Sequence, residues 1–200
     1  MRYDSDHKAR TRERVLKEAA SAIRTEGAAG IGVAAVMARA GLTQGGFYAH
    51  FKSKDDLVAQ AISTMFQERY AAFWVHPETA DPRIALATFI DRYLSPRHRD
   101  APEHGCPIPT LSGELPRLSA DARSRFEEGV ERLIGAAAVL VEHLHGDTPE
   151  SARQSAASMI AEMAGAMSIA RACRDSALSA EVLAASRMEI RRRMNLQDVE

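Results

Sequence analysis

The sequence predicts an all-α protein with a small helix-turn-helix head and a larger helical body. Three observations carry that prediction. Apolar residues make up 46% of the 200 and are rich in Ala, Met and Leu, which favours helix over strand. Apolar positions recur at intervals of three and four along most of the chain, the period of one buried helix face. Charge is uneven: residues 1–54 hold ten Lys/Arg against five Asp/Glu, a surplus of +5, whereas residues 55–200 hold sixteen against twenty-two, or −6. The net charge of −1 hides this split. A basic head on an acidic body fits a head that meets phosphates and a body that stays off them. The division is placed at 1–53 and 54–200.

Residues 1–7 are expected to be mobile. The first helix runs from Lys8 to Glu26, with Val15, Ala19, Ala22 and Ile23 on one stripe. Lys8, Arg10, Arg12 and Arg14 crowd its start, where cations oppose the macrodipole but suit phosphate contact. A solvated basic tail is the other reading. Gly27 and Gly30 close the helix. Val33 to Ala40 form a short helix with Val36 and Met37 inward. Gly41 stands where it must stop and turn, a place for positive φ, and Leu42 plugs the corner. Thr43 is placed to cap the next helix through its hydroxyl. That helix spans about Gln44 to Phe51. Gly45 and Gly46 in its first turn each cost roughly 1 kcal/mol relative to Ala, a choice that suits a helix end approaching another backbone closely. Phe47 and Phe51 share the buried face, and Gln44, Tyr48 and His50 point outward. Ser53 caps a third helix with Asp55 and Asp56 in its positive first turn. It extends from Lys54 to about Trp74, with Leu57, Ile62, Met65 and Phe66 on its apolar side, and ends at His76-Pro77.

In the body, Asp81-Pro82 opens a helix to about Leu94. Residues 95–109 read as a loop rich in Pro, His and Gly. A short helix is expected around Thr110 to Leu115. Ser119 caps a longer one to about His145, Thr148-Pro149 opens another to about Arg174, and Ser179 opens the last, to about Met194. The stretch from Ser151 to Arg174 is apolar nearly all round, so it is expected to be buried on both sides. Its small residues Ala157, Ala161, Ala164, Gly165 and Ser168 let another helix come close. The 151–174 and 179–194 helices are therefore expected to pair with their symmetry mates in a four-helix homodimer interface. A central helix of a monomer is the other reading.

The stretch Gly41-Leu-Thr-Gln-Gly-Gly-Phe-Tyr-Ala-His-Phe-Lys-Ser-Lys-Asp-Asp-Leu57 resembles the signature of the TetR family of bacterial transcriptional regulators. The resemblance spans about residues 8–60. One departure is Gly32, where many members place a Ser or Thr cap. The resemblance implies a dimer that binds a palindromic double-stranded DNA operator, with an effector pocket in the body whose ligand shifts the spacing of the two heads. Gln44 is then the candidate reader of a base edge, since an amide pairs with adenine bidentately. Gly45 and Gly46 permit close approach. Thr43, Tyr48, His50 and Lys54 are candidates for contacts to the DNA backbone, which position without specifying. Tyr48 also reads as a packing ring, His50 as a surface or capping residue, and Arg39 as either a phosphate contact or a solvated cation.

Candidate walls of the effector pocket are Phe66, Tyr70, Trp74, Phe89, Tyr93, Leu111, Met163 and Met167, adaptable apolar side chains, each of which taken singly reads more readily as ordinary core. Cys106 joins them. In His104-Gly-Cys-Pro107, ahead of Ser112-Gly-Glu-Leu115, it is similar to the cysteine of family members that sense electrophiles and oxidants. A thiol near a helix N-terminus and a histidine can be activated, or it can be a small buried hydrophobe. His98, His104 and Cys106 are metal-binding types, which would suit a metal-responsive regulator, but their spacing matches no strong motif. A small helical enzyme using Cys106 and His104 is a further alternative. Against it, no spacing brings together a base, an orienting acid and an oxyanion site, and no strand precedes Gly45-Gly46 to make a dinucleotide fingerprint. No catalytic residue, cofactor or metal site is therefore expected. Cys106 and Cys173 are too few and too distant for a disulfide scaffold, no leader is visible at the start, and no run of 18 apolar residues occurs. A cytoplasmic protein with reduced thiols and no membrane partner is expected.

Overall fold

The structure, a computed structural model, describes residues 2–74 and 81–199, with the side chains of 6–73 and 81–199. All regular structure among the described residues is helical. In chain order the α-helices are α1 (Arg2–Gly30), α2 (Val33–Arg39), α3 (Lys54–Trp74), α4 (Pro82–Tyr93), α5 (Pro96–Asp100), α6 (Pro107–Leu111), α7 (Ala120–His145), α8 (Pro149–Ala172) and α9 (Ala177–Arg193). They form two compact units. The first is built from Met1–Arg69 and Glu103–Gly129, the second from Tyr70–Pro102 and Val130–Glu200.

In the first unit, α1 buries Val15, Ala19, Ala22 and Ile23, the stripe read from the sequence. Residues 2–7 are not a separate mobile tail: they continue the helix. No Gly or Pro interrupts residues 2–26, so nothing stops the helix from propagating. Lys8 to Arg14 then lie beyond the first turn, where the macrodipole no longer opposes them. Gly27 breaks the helical path with φ 79° and ψ 163°. The first half of α3 buries Leu57, Ile62, Met65 and Phe66. Its expected end at His76-Pro77 lies outside the described residues. Helix α6 begins three residues earlier than expected because Cys106-Pro107 is an N-cap and first-position pair, with the Sγ accepting from the Ile108 N–H at 3.4 Å. A 3-10 turn, Leu115–Arg117, follows it. Ser119 caps α7, accepting the Ala122 N–H at 3.3 Å. The Phe66 ring meets Phe126 edge-on at 5.8 Å and lies against Gly129, where a Cβ would come within 2.3 Å of it.

In the second unit, Asp81 caps α4 by accepting the Arg83 N–H at 2.8 Å, and Thr148 caps α8 by accepting the Ser151 N–H at 3.3 Å. The 95–109 stretch is not a loop. Ser95 caps α5, its hydroxyl accepting the His98 N–H at 3.2 Å, and Pro96 stands at the first position, where its missing N–H costs nothing. Helix α9 starts two residues before Ser179, after Ser176. Ser179 is fully buried and serves packing instead: its Oγ donates to the Ala170 carbonyl at 2.7 Å and accepts from Arg99 at 3.0 Å. Helix α8 packs on α9, which also meets α4. Within one chain α8 is buried on one side only, by Met159, Ile160, Met163, Ala164 and Met167, while Ala161, Gly165 and Ser168 are exposed.

Candidate nucleic-acid interface

The end of α2 fixes the geometry of everything after it. Gly41 has φ 69°, its N–H donates to the Ala38 carbonyl at 2.9 Å, and the Leu42 N–H reaches back to the Met37 carbonyl at 2.9 Å. This is a complete Schellman stop, with the glycine in the left-handed position that lets the chain reverse. The next element is a 3-10 helix, Gln44–Ala49, rather than the α-helix to Phe51 that the spacing predicts. Two adjacent glycines are poor α-formers, and the tighter i→i+3 bonds of Gly46 to Thr43 (3.2 Å) and His50 to Phe47 (2.9 Å) replace the α ladder. The Thr43 hydroxyl does not cap it, since the Thr43 carbonyl takes the Gly46 N–H itself.

Phe47 and Phe51 are both buried, with rings 5.6 Å apart in a stacked pair. They anchor the element from within. Thr43, Gln44, Gly45 and Tyr48 are left exposed; the Tyr48 ring is 78% open and meets Phe47 edge-on at 5.2 Å. A Cβ built on Gly45 meets nothing within 4 Å, and one on Gly46 meets only Met37 Cε, at 3.7 Å. Neither glycine is required by the packing of the chain.

His50 does not point freely outward. It is half-buried, its Nδ1 is buried without a hydrogen-bond partner, and burial, with the nearby positive charges of Lys8 and Arg12, lowers its pKa below the ordinary 6.5. Arg12 also lies over the Phe51 ring, 5.4 Å from its centroid. Lys54 Nζ donates to the Ala29 carbonyl at 3.2 Å, and Arg39 pairs with Glu26 at 2.6 Å. Ser53 Oγ accepts the Asp56 N–H at 3.1 Å, as the sequence predicts. Burial pushes the Asp56 carboxyl upward, but the Lys52 N–H and the Gln60 amide outweigh it, and the pKa is lowered.

Sequence reasoning passed over two residues of this unit. Arg24 is 4% exposed and spans α1, α3 and the segment before α6: it donates to Glu68 at 3.0 Å, to the Met65 carbonyl at 2.9 Å and to the Glu103 carbonyl at 3.1 Å. A charge four residues after buried Ala20, on the apolar stripe, was its signal. Glu114 accepts from the backbone of Ala28 at 2.9 Å and of Ala29 at 3.3 Å; no local pattern announces that.

The expected effector-pocket residues fall into both units. Phe66, Cys106 and Leu111 are buried in the first. Tyr70, Phe89, Tyr93, Met163 and Met167 are buried in the second, where Phe89 stacks on Phe73 at 4.2 Å and meets Tyr70 and Tyr93 edge-on. The side chain of Trp74 lies outside the described residues. A cavity of about 480 Å³ in the second unit is lined by other side chains, among them His145, Gln154, Ser158 and Arg193. His98 belongs to the second unit and His104 and Cys106 to the first; His98 Nδ1 is 2.7 Å from the Tyr93 carbonyl. No group of three or more metal-ligating side chains is poised to hold an ion among the described residues, and none of their helices is long and apolar enough to cross a membrane.

Comparison with known proteins bears on the same region. Residues 15–61 match the family model for bacterial regulatory proteins of the tetR family. No curated protein sequence matches significantly. Among solved structures, a TetR transcriptional regulator from Chloroflexus aurantiacus J-10-FL is 26% identical, covering 96% of this chain and 98% of its own, with a TM-score of 0.76. The reduced form of Escherichia coli NemR is 20% identical over 91% and 95% of the two chains, with a TM-score of 0.78. A TetR regulator from Legionella pneumophila is 19% identical over 90% and 95%, at 0.77. The matched family is one of regulators and not of enzymes, which sets aside catalysis by Cys106 and His104. With the family's DNA-binding region matched over residues 15–61 and the fold of TetR regulators shared along nearly the whole chain, the protein is a DNA-binding transcriptional regulator with a TetR-like fold.

Proposed function

We propose that this regulator is a dimeric repressor, which reads a palindromic operator through the surface around residues 43–54 and lets go when a small-molecule effector binds. The observation that carries the reading is Gly45. It is exposed, its backbone is not left-handed, and the space around it is empty, so side-chain packing gives no reason for glycine there. Close approach to DNA does. Gln44 then reads a base edge, and Thr43, Tyr48, His50 and Lys54 contact the DNA backbone. The exposed Ala161, Gly165 and Ser168 of α8, with half-open Ile169, Leu178 and Met188, support pairing of α8 and α9 with their symmetry mates. In functional terms residues 1–53 read DNA and 54–200 sense and dimerise, in the cytoplasm.

The aromatic cluster of Tyr70, Phe73, Phe89 and Tyr93 suits an apolar effector, which must bind one head spacing better than the other to act. Cys106 supports a second reading, as an electrophile-responsive thiol, because it stands at an N-cap and the similar NemR was crystallised in a reduced form. Its thiol is 0% exposed, so this route requires the α6 segment to open first. Cys106→Ser that still releases DNA on electrophile treatment removes it.

The test is fluorescence anisotropy of the full chain with duplex DNA from upstream of its own gene, and with duplexes selected from a random pool, at two salt concentrations. Wild type should bind tightly with strong salt dependence, and Gly45→Leu should fold normally and lose specific binding. Wild-type-like affinity in that variant refutes the assigned surface.

A further inference from the structure

The DNA-reading part of the chain is held by a residue far outside it. Glu114 follows α6, its N–H donating to the Leu111 carbonyl at 2.8 Å and its carbonyl accepting from Arg117 at 2.9 Å. That corner aims its carboxylate at the end of α1. There Gly27 has broken the helix, so the next N–H groups begin a new turn and lack partners one turn back. Glu114 Oε2 accepts both, from Ala28 at 2.9 Å and Ala29 at 3.3 Å. It caps, from another element, the short turn that leads into α2.

The fit is close on both sides. A Cβ at position 27 would lie 2.4 Å from Glu114 Oε1, so the missing side chain makes room for the carboxylate. The same few residues tie to the rest of the head: Ala29 accepts from Lys54 at the start of α3, and Glu26 pairs with Arg39 at the end of α2. A second tie lies four residues back along α1, where Arg24 donates to the Glu103 carbonyl at 3.1 Å. The 103–115 segment is thus fastened to α1 at both of its ends, with α6 between.

We propose that Glu114 is a positioning residue for operator reading, holding the α1–α2 turn in its DNA-competent geometry, and that displacement of the 103–115 segment reaches the DNA-binding surface by breaking this hold. The inference rests on the DNA-binding assignment and not on which effector is sensed. Any ligand or modification that moves α6 must either carry the end of α1 with it or release Ala28 and Ala29.

The test uses the full-length protein. Amide hydrogen exchange of the free wild type comes first: Ala28 and Ala29 should be protected, and exchange at the rate of an open peptide overturns the tie without any variant. Glu114→Ala should speed exchange at those two amides and through 33–50 while leaving α8 and α9 unchanged. It should also weaken binding to a duplex selected by the wild type by about tenfold. Glu114→Gln keeps an acceptor oxygen and should recover most of both. An Ala variant within about twofold of wild type in both readouts, or a loss of protection spread equally into α8 and α9, overturns the role. If the wild type selects no DNA, the functional assignment fails while the exchange data still judge the tie.

Discussion

Gly27→Ala should destabilise the protein by two separable routes. The backbone at Gly27, φ 79° and ψ 163°, lies in a region that essentially only glycine occupies, and forcing alanine there costs of order 1–3 kcal/mol. The new methyl would also sit 2.4 Å from Glu114 Oε1 and 3.1 Å from its Cδ. A carboxylate at the end of a flexible side chain swings away from such a clash easily, but leaving costs its bonds to Ala28 and Ala29. One charge-assisted bond at 2.9 Å and a longer one at 3.3 Å, at a part-exposed site, amount to about 1–2 kcal/mol. The single mutant should therefore lose about 2–5 kcal/mol. In a Glu114→Ala background the second route is already gone, so the same change should cost only the strain. The two mutations should fall short of additivity by about 1–2 kcal/mol. Urea unfolding of the four proteins, at one fixed protein concentration because any self-association would contribute, measures this directly. Additivity within about 0.5 kcal/mol would falsify the argument that Gly27 is glycine partly to admit Glu114.

Gly45→Ala should raise stability by up to about 1 kcal/mol, because it removes backbone entropy where nothing is crowded, while weakening operator binding; a loss of stability would show that the position is packed after all. Gly129→Ala should cost about 1–3 kcal/mol by driving a methyl into the buried Phe66 ring, read as a fall in Tm with DNA contacts untouched. Arg24→Met should cost roughly 2–3 kcal/mol, since it strands the Met65 and Glu103 carbonyls and unpairs Glu68; a neutral result in thermal unfolding contradicts that accounting. His50 should make stability depend on pH. Its folded pKa is below the ordinary 6.5, so the unfolded chain takes up the proton first. Its contribution is full above pH 6.5 and is lost as pH falls through the lower folded value. His50→Gln should flatten that slope, and an unchanged slope would assign it to another group.

The helix pattern was legible because it is local. Capping pairs such as Asp81-Pro82, Thr148-Pro149 and Ser53 act within one turn, and each is found in the structure. The stop at Gly41 was equally readable, since only a left-handed residue completes that turn. Errors arose where two local signals compete. Pro96 and Pro107 read as loop residues by composition but stand at first helical positions, and Gly45-Gly46 tipped an apparent α-helix into a 3-10 turn. The outward surface at Gln44 and Tyr48 followed from period alone, whereas the half-burial of His50 depends on α1 lying against it. What no window reveals is partnership across the chain. Arg24 shows as a charge on an apolar stripe, but its partners lie 41 to 79 residues away. Glu114 meets Ala28 across 86 residues, and neither end carries a mark of the other.

The first unit is assembled from two stretches of chain, Met1–Arg69 and Glu103–Gly129, with residues 70–102 routed elsewhere. That routing has a consequence for synthesis. When the matched 15–61 region leaves the ribosome, the residues that close its unit have not yet been made. About 60 further residues separate Arg69 from Gly129, which at roughly 5–20 residues per second is a delay on the order of 3–12 s. During that interval the end of α1 has no Glu114 and Arg24 has no Glu103. A nascent or prematurely terminated chain therefore exposes its basic helix without the parts that set its geometry. It can touch DNA through charge alone, and it gains a fixed reading surface only when more than half of the polypeptide has emerged.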